Sequence, residues 1–259
     1  MSPPQKSRRG FRLRYVVGAA LVLLVGAGAG LWWFVFRGDA PAAVDTTAAN
    51  EQLDTDLEGA SAPGAAPTTG GFDGEIDGTW TVDDTLGDFT FDSASGSFAG
   101  FRVDEELVGP GAVVAVGRTG DVSGSIDIEH GDLVAATVEV DLTGLTSDRP
   151  GREGAIQRAL TTDQFPTAEF SLTEPVTLPA QAARGELFAV DATGDLTVHG
   201  VTRTVVMSIE AIVRDDGVAV VTGSTDAVWD DYGVTPPSAP VVASIDDQGV
   251  IEFQLLLTS

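Results

Sequence analysis

From Gly78 onward, short runs alternate apolar and polar residues, with turn residues between them. Val122, Gly124, Ile126 and Ile128 alternate with Ser123, Ser125 and Asp127, and Gly131-Asp132 supplies a turn after His130. The next run sets Val134, Ala136, Val138, Val140 and Leu142 on one face and Thr137, Glu139 and Asp141 on the other. Successive side chains of a strand point to opposite faces, so this pair predicts a hairpin with one dry and one wet side. The pattern recurs at Ala168, Phe170 and Leu172, then at Gly194, Leu196 and Val198, before a turn at His199-Gly200. Val205, Met207, Ile209, Ala211 and Val213 follow, and Ile251, Phe253, Leu255 and Leu257 alternate with Glu252 and Gln254. About eight strands are predicted in this way. One segment, Gly151 to Leu160, reads as a short helix.

An antiparallel sheet of this length must hide both its apolar face and its edges. Closure into a barrel does both at once, and a two-sheet sandwich is the other solution that alternation allows. The fold class is all-β in either case, and residues 78–259 suffice for a substantial core.

Upstream the character changes twice. Residues 37–77 are rich in Ala, Gly, Pro, Thr and acids and show no apolar period, which predicts a disordered acidic linker. Tyr15 to Phe36 is a 22-residue stretch without a charge, long enough as a helix to cross the roughly 30 Å core of a bilayer. The basic segment 1–14 precedes it, and Trp32 and Trp33 stand near its other end. By the positive-inside rule, residues 1–14 stay in the cytoplasm and everything after Arg37 is extracytoplasmic. The alternative is an export signal: Ser7-Arg8-Arg9-Gly10-Phe11 resembles a twin-arginine start and Ala27-Gly28-Ala29 a cleavage site, which would release a secreted domain.

Charge sharpens this division. Residues 1–37 carry six basic side chains and no acid, which leaves eight basic residues against all 39 acids, a formal charge of −31. So acidic a domain repels nucleic-acid phosphates and anionic membrane surfaces alike. Cysteine is absent, which removes disulfides, thiolate chemistry and thiol-bound metals.

Candidate chemistry is sparse. His130 and His199 each precede glycine at the end of an alternating run and read as turn residues. No metalloprotease, nucleophile-elbow or phosphate-loop motif is present. The acid pairs Asp83-Asp84, Glu105-Glu106, Asp215-Asp216, Asp230-Asp231 and Asp246-Asp247 read as solvated surface. No catalytic residue, metal site or cofactor is predicted.

Several segments resemble the YceI-like family of lipocalin-like, polyisoprenoid-binding proteins. Gly194-Asp195-Leu196-Thr197-Val198-His199-Gly200-Val201-Thr202-Arg203 is similar to its signature. Trp80-Thr81-Val82-Asp83 looks like its opening strand, and Ser97, Ala99, Phe101 and Val103 match its next. Phe165-Pro166 with Glu169-Phe170, and Asp231-Tyr232-Gly233-Val234, fall in the same order and spacing. Family members often carry histidines where this chain has Gly96 and Glu105-Glu106, and Asp84 to Ser95 looks like an insertion. The resemblance implies an eight-stranded antiparallel lipocalin-like barrel whose interior takes an isoprenoid lipid or quinone.

On that reading the lumen is lined by Phe101, Val103, Ile126, Val138, Val140, Phe170, Leu196, Val205, Met207, Ile209, Phe253 and Leu255. Trp80 and Trp229 are expected to be packing anchors and Arg152 a solvated helix residue. The expected function is non-enzymatic binding of the lipid outside the cytoplasmic membrane. The alternatives are a ligand-free structural or protein-interaction domain and a hydrolase using acidic residues.

Overall fold

The computed structural model describes residues 40–60, 72, 74–109, 111–149 and 151–259. The predicted cytoplasmic segment, bilayer span and signal site lie outside these residues. Among the described residues no helix is long and apolar enough to cross a membrane.

Among the described residues thirteen strands form one sheet: β1 (Gly78–Val82), β2 (Phe98–Leu107), β3 (Gly111–Thr119), β4 (Val122–Glu129), β5 (Asp132–Asp141), β6 (Thr146–Ser147), β7 (Thr167–Leu172), β8 (Val176–Thr177), β9 (Phe188–Val198), β10 (Val201–Val213), β11 (Ala219–Val228), β12 (Val242–Ile245) and β13 (Gln248–Thr258). Eight of them, in the order β1-β4-β5-β7-β9-β10-β11-β13, close on themselves through antiparallel pairs. This is the barrel, not the sandwich. Closure is uneven. β13 pairs with β11 from Ala219↔Leu257 to Val228↔Gln248, but with β1 only at Thr81↔Thr258 and Val82↔Leu257. The rest of that edge of β13 takes β2, from Val250↔Arg102 to Gln254↔Phe98, and β3 follows β2. A short helix, α2 (Arg152–Leu160), lies where the predicted helix falls and packs Ile156 against Leu142 and Leu145.

The two ends of the barrel differ. At one, the helix end, lie α2, the tip of β2 at Leu107 and the β9–β10 turn. At the other lie the β10–β11 turn and the β4–β5 turn, where the Asp77 carboxylate accepts the N–H groups of His130 and Gly131. Trp80, Ile76, Leu133 and Ala182 pack together there.

Three expectations need correction. The period in β5 breaks at a bulge opposite Asp127 and Ile128, so Leu133 faces inward and Val134 is exposed. One extra residue reverses the alternation on either side of it. Glu252 and Gln254, assigned to a wet face, are almost fully buried.

What buries them is the third correction. Part of the segment predicted to be disordered forms helix α1 (Thr46–Ala60), which lies on the outer face of β10, β11 and β13. The Asp45 carboxylate caps its first turn by accepting the Ala48 N–H at 2.8 Å. Thr46, Ala49 and Leu53 are buried, with Leu57 beside them, a spacing of three and four residues that marks one helix face. Ala49, Leu53 and Leu57 form a second apolar cluster with Val218, Val220 and Leu256, outside the barrel. The insertion-like stretch before β2 meets the same helix, through Gln52 with Ser93 and Asp56 with Ser95.

Ahead of α1 the chain is gripped residue by residue. Arg102 donates to the Pro41 carbonyl at 2.7 Å and Arg118 to the Ala42 carbonyl at 2.6 Å, while Glu252 accepts the Val44 N–H. Glu252 is itself held by Arg118 at 2.7 Å and by Arg102 at 3.6 Å. Arg214 completes the attachment through Asn50 and Asp54.

Because the outer cluster and the lumen core are separate, Leu53→Asp should free α1 without unfolding the barrel. Limited proteolysis should then cut before Glu75 and leave a resistant fragment that keeps its β-sheet circular dichroism. Cooperative loss of both would show one inseparable core.

Candidate functional site

The inward faces of the ring strands meet around an apolar cavity of about 200 Å³. Almost no polar atom faces it. An apolar cavity of roughly 150 Å³ already stays dry and accepts benzene, so this space suits hydrocarbon rather than water. Glu252 and Glu169 contribute to the wall, but the first carboxylate turns outward to Arg118 and the second accepts the Ser171 hydroxyl.

Ten of the twelve proposed lining residues border this cavity: Phe101, Ile126, Val138, Val140, Phe170, Leu196, Met207, Ile209, Phe253 and Leu255. Val103 and Val205 do not. Val103 lies further along β2 and borders a second cavity, while Val205 packs near the helix end with the cluster of Leu196, Ala227 and Tyr232. Trp80 and Trp229, expected only to anchor packing, both line the lumen. The Trp80 indole N–H is satisfied by the Ile76 carbonyl at 2.9 Å, so its ring presents apolar surface only. Leu133, Leu160 and Ile251 also line it; the bulge hid the first, and no strand period marks the second.

Backbone, not chance, keeps the space open. Phe101 stands directly across from Gly117 and Phe253 across from Gly223, and Phe170 lies beside Gly194. A Cβ on any of these glycines would come within 2.3–2.5 Å of the ring. Each ring therefore lies flat on the neighbouring strand instead of projecting into the middle.

The second cavity, about 640 Å³, opens at the helix end. It shares Phe101, Leu160 and Trp229 with the lumen, and the Phe101 and Trp229 rings meet edge to face, 6.0 Å apart. Its lining mixes Val103, Leu107, Ile156 and Val242 with Arg149, Arg152 and Arg158. Only eight arginines lie beyond Arg37 and no lysine, so this cavity gathers three of the eight.

Two further expectations change here. Arg152 is not solvated; its side chain is largely buried and ion-paired with Glu105 and Asp148. Glu105 is not a surface acid either, with its side chain 3% exposed. Burial pushes its carboxyl above the usual range, outweighing Arg152 and Arg149.

His130 and His199 do occupy turns, at φ 56° and 53°. His199 is also a clasp: Nδ1 donates to the Tyr232 carbonyl at 3.1 Å, and Nε2 accepts from the Thr161 hydroxyl at 3.2 Å. A carbonyl can only accept, which fixes the proton on Nδ1. The clasp ties the β9–β10 turn to the end of α2. Among the described residues no group of three or more His, Asp or Glu is placed to hold a metal ion.

The site is thus a closed antiparallel barrel with an apolar lumen and a second, arginine-bearing cavity at its helix end. A YceI-like domain model matches residues 80–257, and the chain belongs to that family. Among solved structures, the fold is similar to a polyisoprenoid binding domain from Saccharophagus degradans implicated in plant cell wall breakdown, at 19% identity and a TM-score of 0.52. That match covers 70% of this chain and 98% of the other. BcnA of Burkholderia cenocepacia matches at 17% identity and a TM-score of 0.47, over 68% of this chain and 98% of its own. No curated protein sequence matches.

Two outcomes test this geometry. Gly223→Val should drive the Phe253 ring into the lumen and sharply reduce uptake of a slender apolar fluorophore such as a conjugated-polyene chain, with the thermal transition still cooperative. Unchanged uptake would show that the rings do not set the space. For Glu105, a folded carboxyl above its unfolded value contributes stability at acid pH that is lost as pH rises through the folded value. Glu105→Gln should therefore flatten the decline in stability between acid and neutral pH, read by denaturant titration across that range.

Proposed function

We propose that this domain binds an isoprenoid lipid or quinone without chemical conversion, in an extracytoplasmic compartment. The tail occupies the lumen and the polar end the arginine-lined cavity. The carrying observation is the almost purely apolar space that abuts an arginine-bearing mouth across Phe101, Leu160 and Trp229. The Saccharophagus degradans domain of similar fold, described as polyisoprenoid binding, supports the choice of ligand class.

The energetics suffice. Burying one isoprene unit removes about five carbons from water, worth roughly 3–4 kcal/mol. A few units exceed the roughly 4–15 kcal/mol cost of association. Shape and aliphatic lining thus hold a long chain with no polar contact along its length. A packed structural core would leave no such space, and acid hydrolysis would need carboxylates that this lumen does not present.

Organic extraction of natively purified full chain, followed by mass spectrometry, should yield an isoprenoid near one per chain. Met207→Glu, at a buried lumen position, should abolish that recovery while the protein remains folded. Repeated purification of stable, lipid-free wild-type protein would overturn the reading.

A further inference from the structure

We infer that the lumen is a blind tube that measures chain length, with the Trp80 ring as its floor, so that the preferred ligand is a short isoprenoid of about two or three units. This rests on the lipid-binding reading and adds to it the length class of the ligand.

The first observation is the sealed end. Ile76, Trp80, Leu178 and Ala182 line the lumen opposite the helix end, and Ile76, Trp80 and Ala182 are buried. The strand that carries the Trp80 ring is laddered on both sides, to β4 at Trp80↔Ile126 and to β13 at Val82↔Leu257. The indole N–H, given to the Ile76 carbonyl, fixes the ring in turn. Below it the covering segments are stitched to the end turns. The Phe72 N–H donates to the Asp215 carbonyl at 3.0 Å and the Leu178 N–H to the Gly131 carbonyl at 3.0 Å, while Asp77 accepts from the β4–β5 turn. Asp77 and Asp215 are exposed beyond this seal, so a hydrocarbon end pushed through it would meet charge and water.

The second observation is length. Phe101, which borders both cavities, pairs with Ile251, and Leu257 pairs with Val82, two residues from Trp80. Ile251 and Leu257 both line the lumen, and the strand between them is about 20 Å long. At the roughly 40° tilt usual in barrels this is about 15 Å along the axis. Carbon–carbon bonds of about 1.5 Å give an extended isoprene unit, with its four chain bonds, an advance of roughly 5 Å. About three units fill the distance. Volume sets the tighter limit. An apolar cavity of roughly 150 Å³ takes a six-carbon ring, so about 200 Å³ takes on the order of ten carbons, or two units.

The third observation is where a longer chain must put its surplus. It stays in the second cavity, where Val103, Leu107 and Val242 share the wall with Arg149, Arg152 and Arg158. Carbons left there keep contact with charge and water, so they add little to the affinity gained inside. Each unit up to the floor contributes fully, and each unit after it does not. Ala219 pairs with Leu257 at the sealed end and is small, buried and lumen-facing, so it is the position from which the floor can be raised.

Competition against a bound conjugated-polyene fluorophore, on the full chain, measures affinity for prenyl alcohols of two, three, four and nine units and for straight-chain alcohols of matching length. Wild type should gain roughly tenfold or more per unit up to about three units, then change by less than about threefold with each further unit. Ala219→Leu should bring the plateau forward by about one unit and Trp80→Leu should delay it by about one, each in protein with a cooperative thermal transition. Where Trp80→Leu does not fold, Ala219→Leu decides alone. Affinity that climbs steadily to nine units, or a plateau that Ala219→Leu leaves in place, overturns the floor but not the lipid reading. A plateau with straight-chain alcohols and no binding of prenyl alcohols upholds the floor and removes the isoprenoid reading. No binding of either series overturns both.

Discussion

The attachment of the outer layer depends on β13 being buried on both of its faces. Ile251, Phe253, Leu255 and Leu257 point into the lumen, while Glu252, Gln254 and Leu256 lie under an outer layer made by the Ala40–Val44 strap, α1 and the stretch before β2. A strand covered on one side only would offer its polar face to water and bind nothing outside. Instead Glu252 is desolvated, and a buried carboxylate is tolerated only with charged partners at hand. Arg118 and Arg102 supply them, and the same two arginines hold the main chain of the strap. The ion cluster therefore ties the strap to the wall.

That dependence separates two kinds of apolar surface. The outer cluster is filled, with Leu53 and Leu256 fully buried, and serves attachment. The inner one is kept unfilled, because three phenylalanine rings rest on glycines instead of meeting in the centre. Family membership and the apolar lumen are both consistent with the proposed apolar ligand.

Much of the barrel was legible from alternation: β4, β7, β9, β10 and β13 show it and carry seven of the ten proposed positions that border the lumen, the others being Phe101 on β2 and Val138 and Val140 on β5. What failed did so for identifiable reasons. β3 and β11 carry near-continuous apolar runs, Ala112 to Val116 and Ala219 to Val221, which give no period. The bulge in β5 inverted one assignment. Helix α1 went unseen because its buried face is made of Thr46, Ala49 and Leu53 amid acids, too small and too sparse to stand out from a linker. The arginine cavity was invisible for another reason: Val103, Arg152 and Val242 lie far apart in the chain, and only the fold brings them together.

The resting of rings on glycine has a consequence for which guests the domain can tell apart. The three aromatic plates that lie against main chain cannot retreat outward, so at those positions the bore widens only by parting hydrogen-bonded strands. On the proposed function, selection inside it would be by girth: a slender, singly branched hydrocarbon would thread through, whereas a fused polycycle would press on the backbone itself.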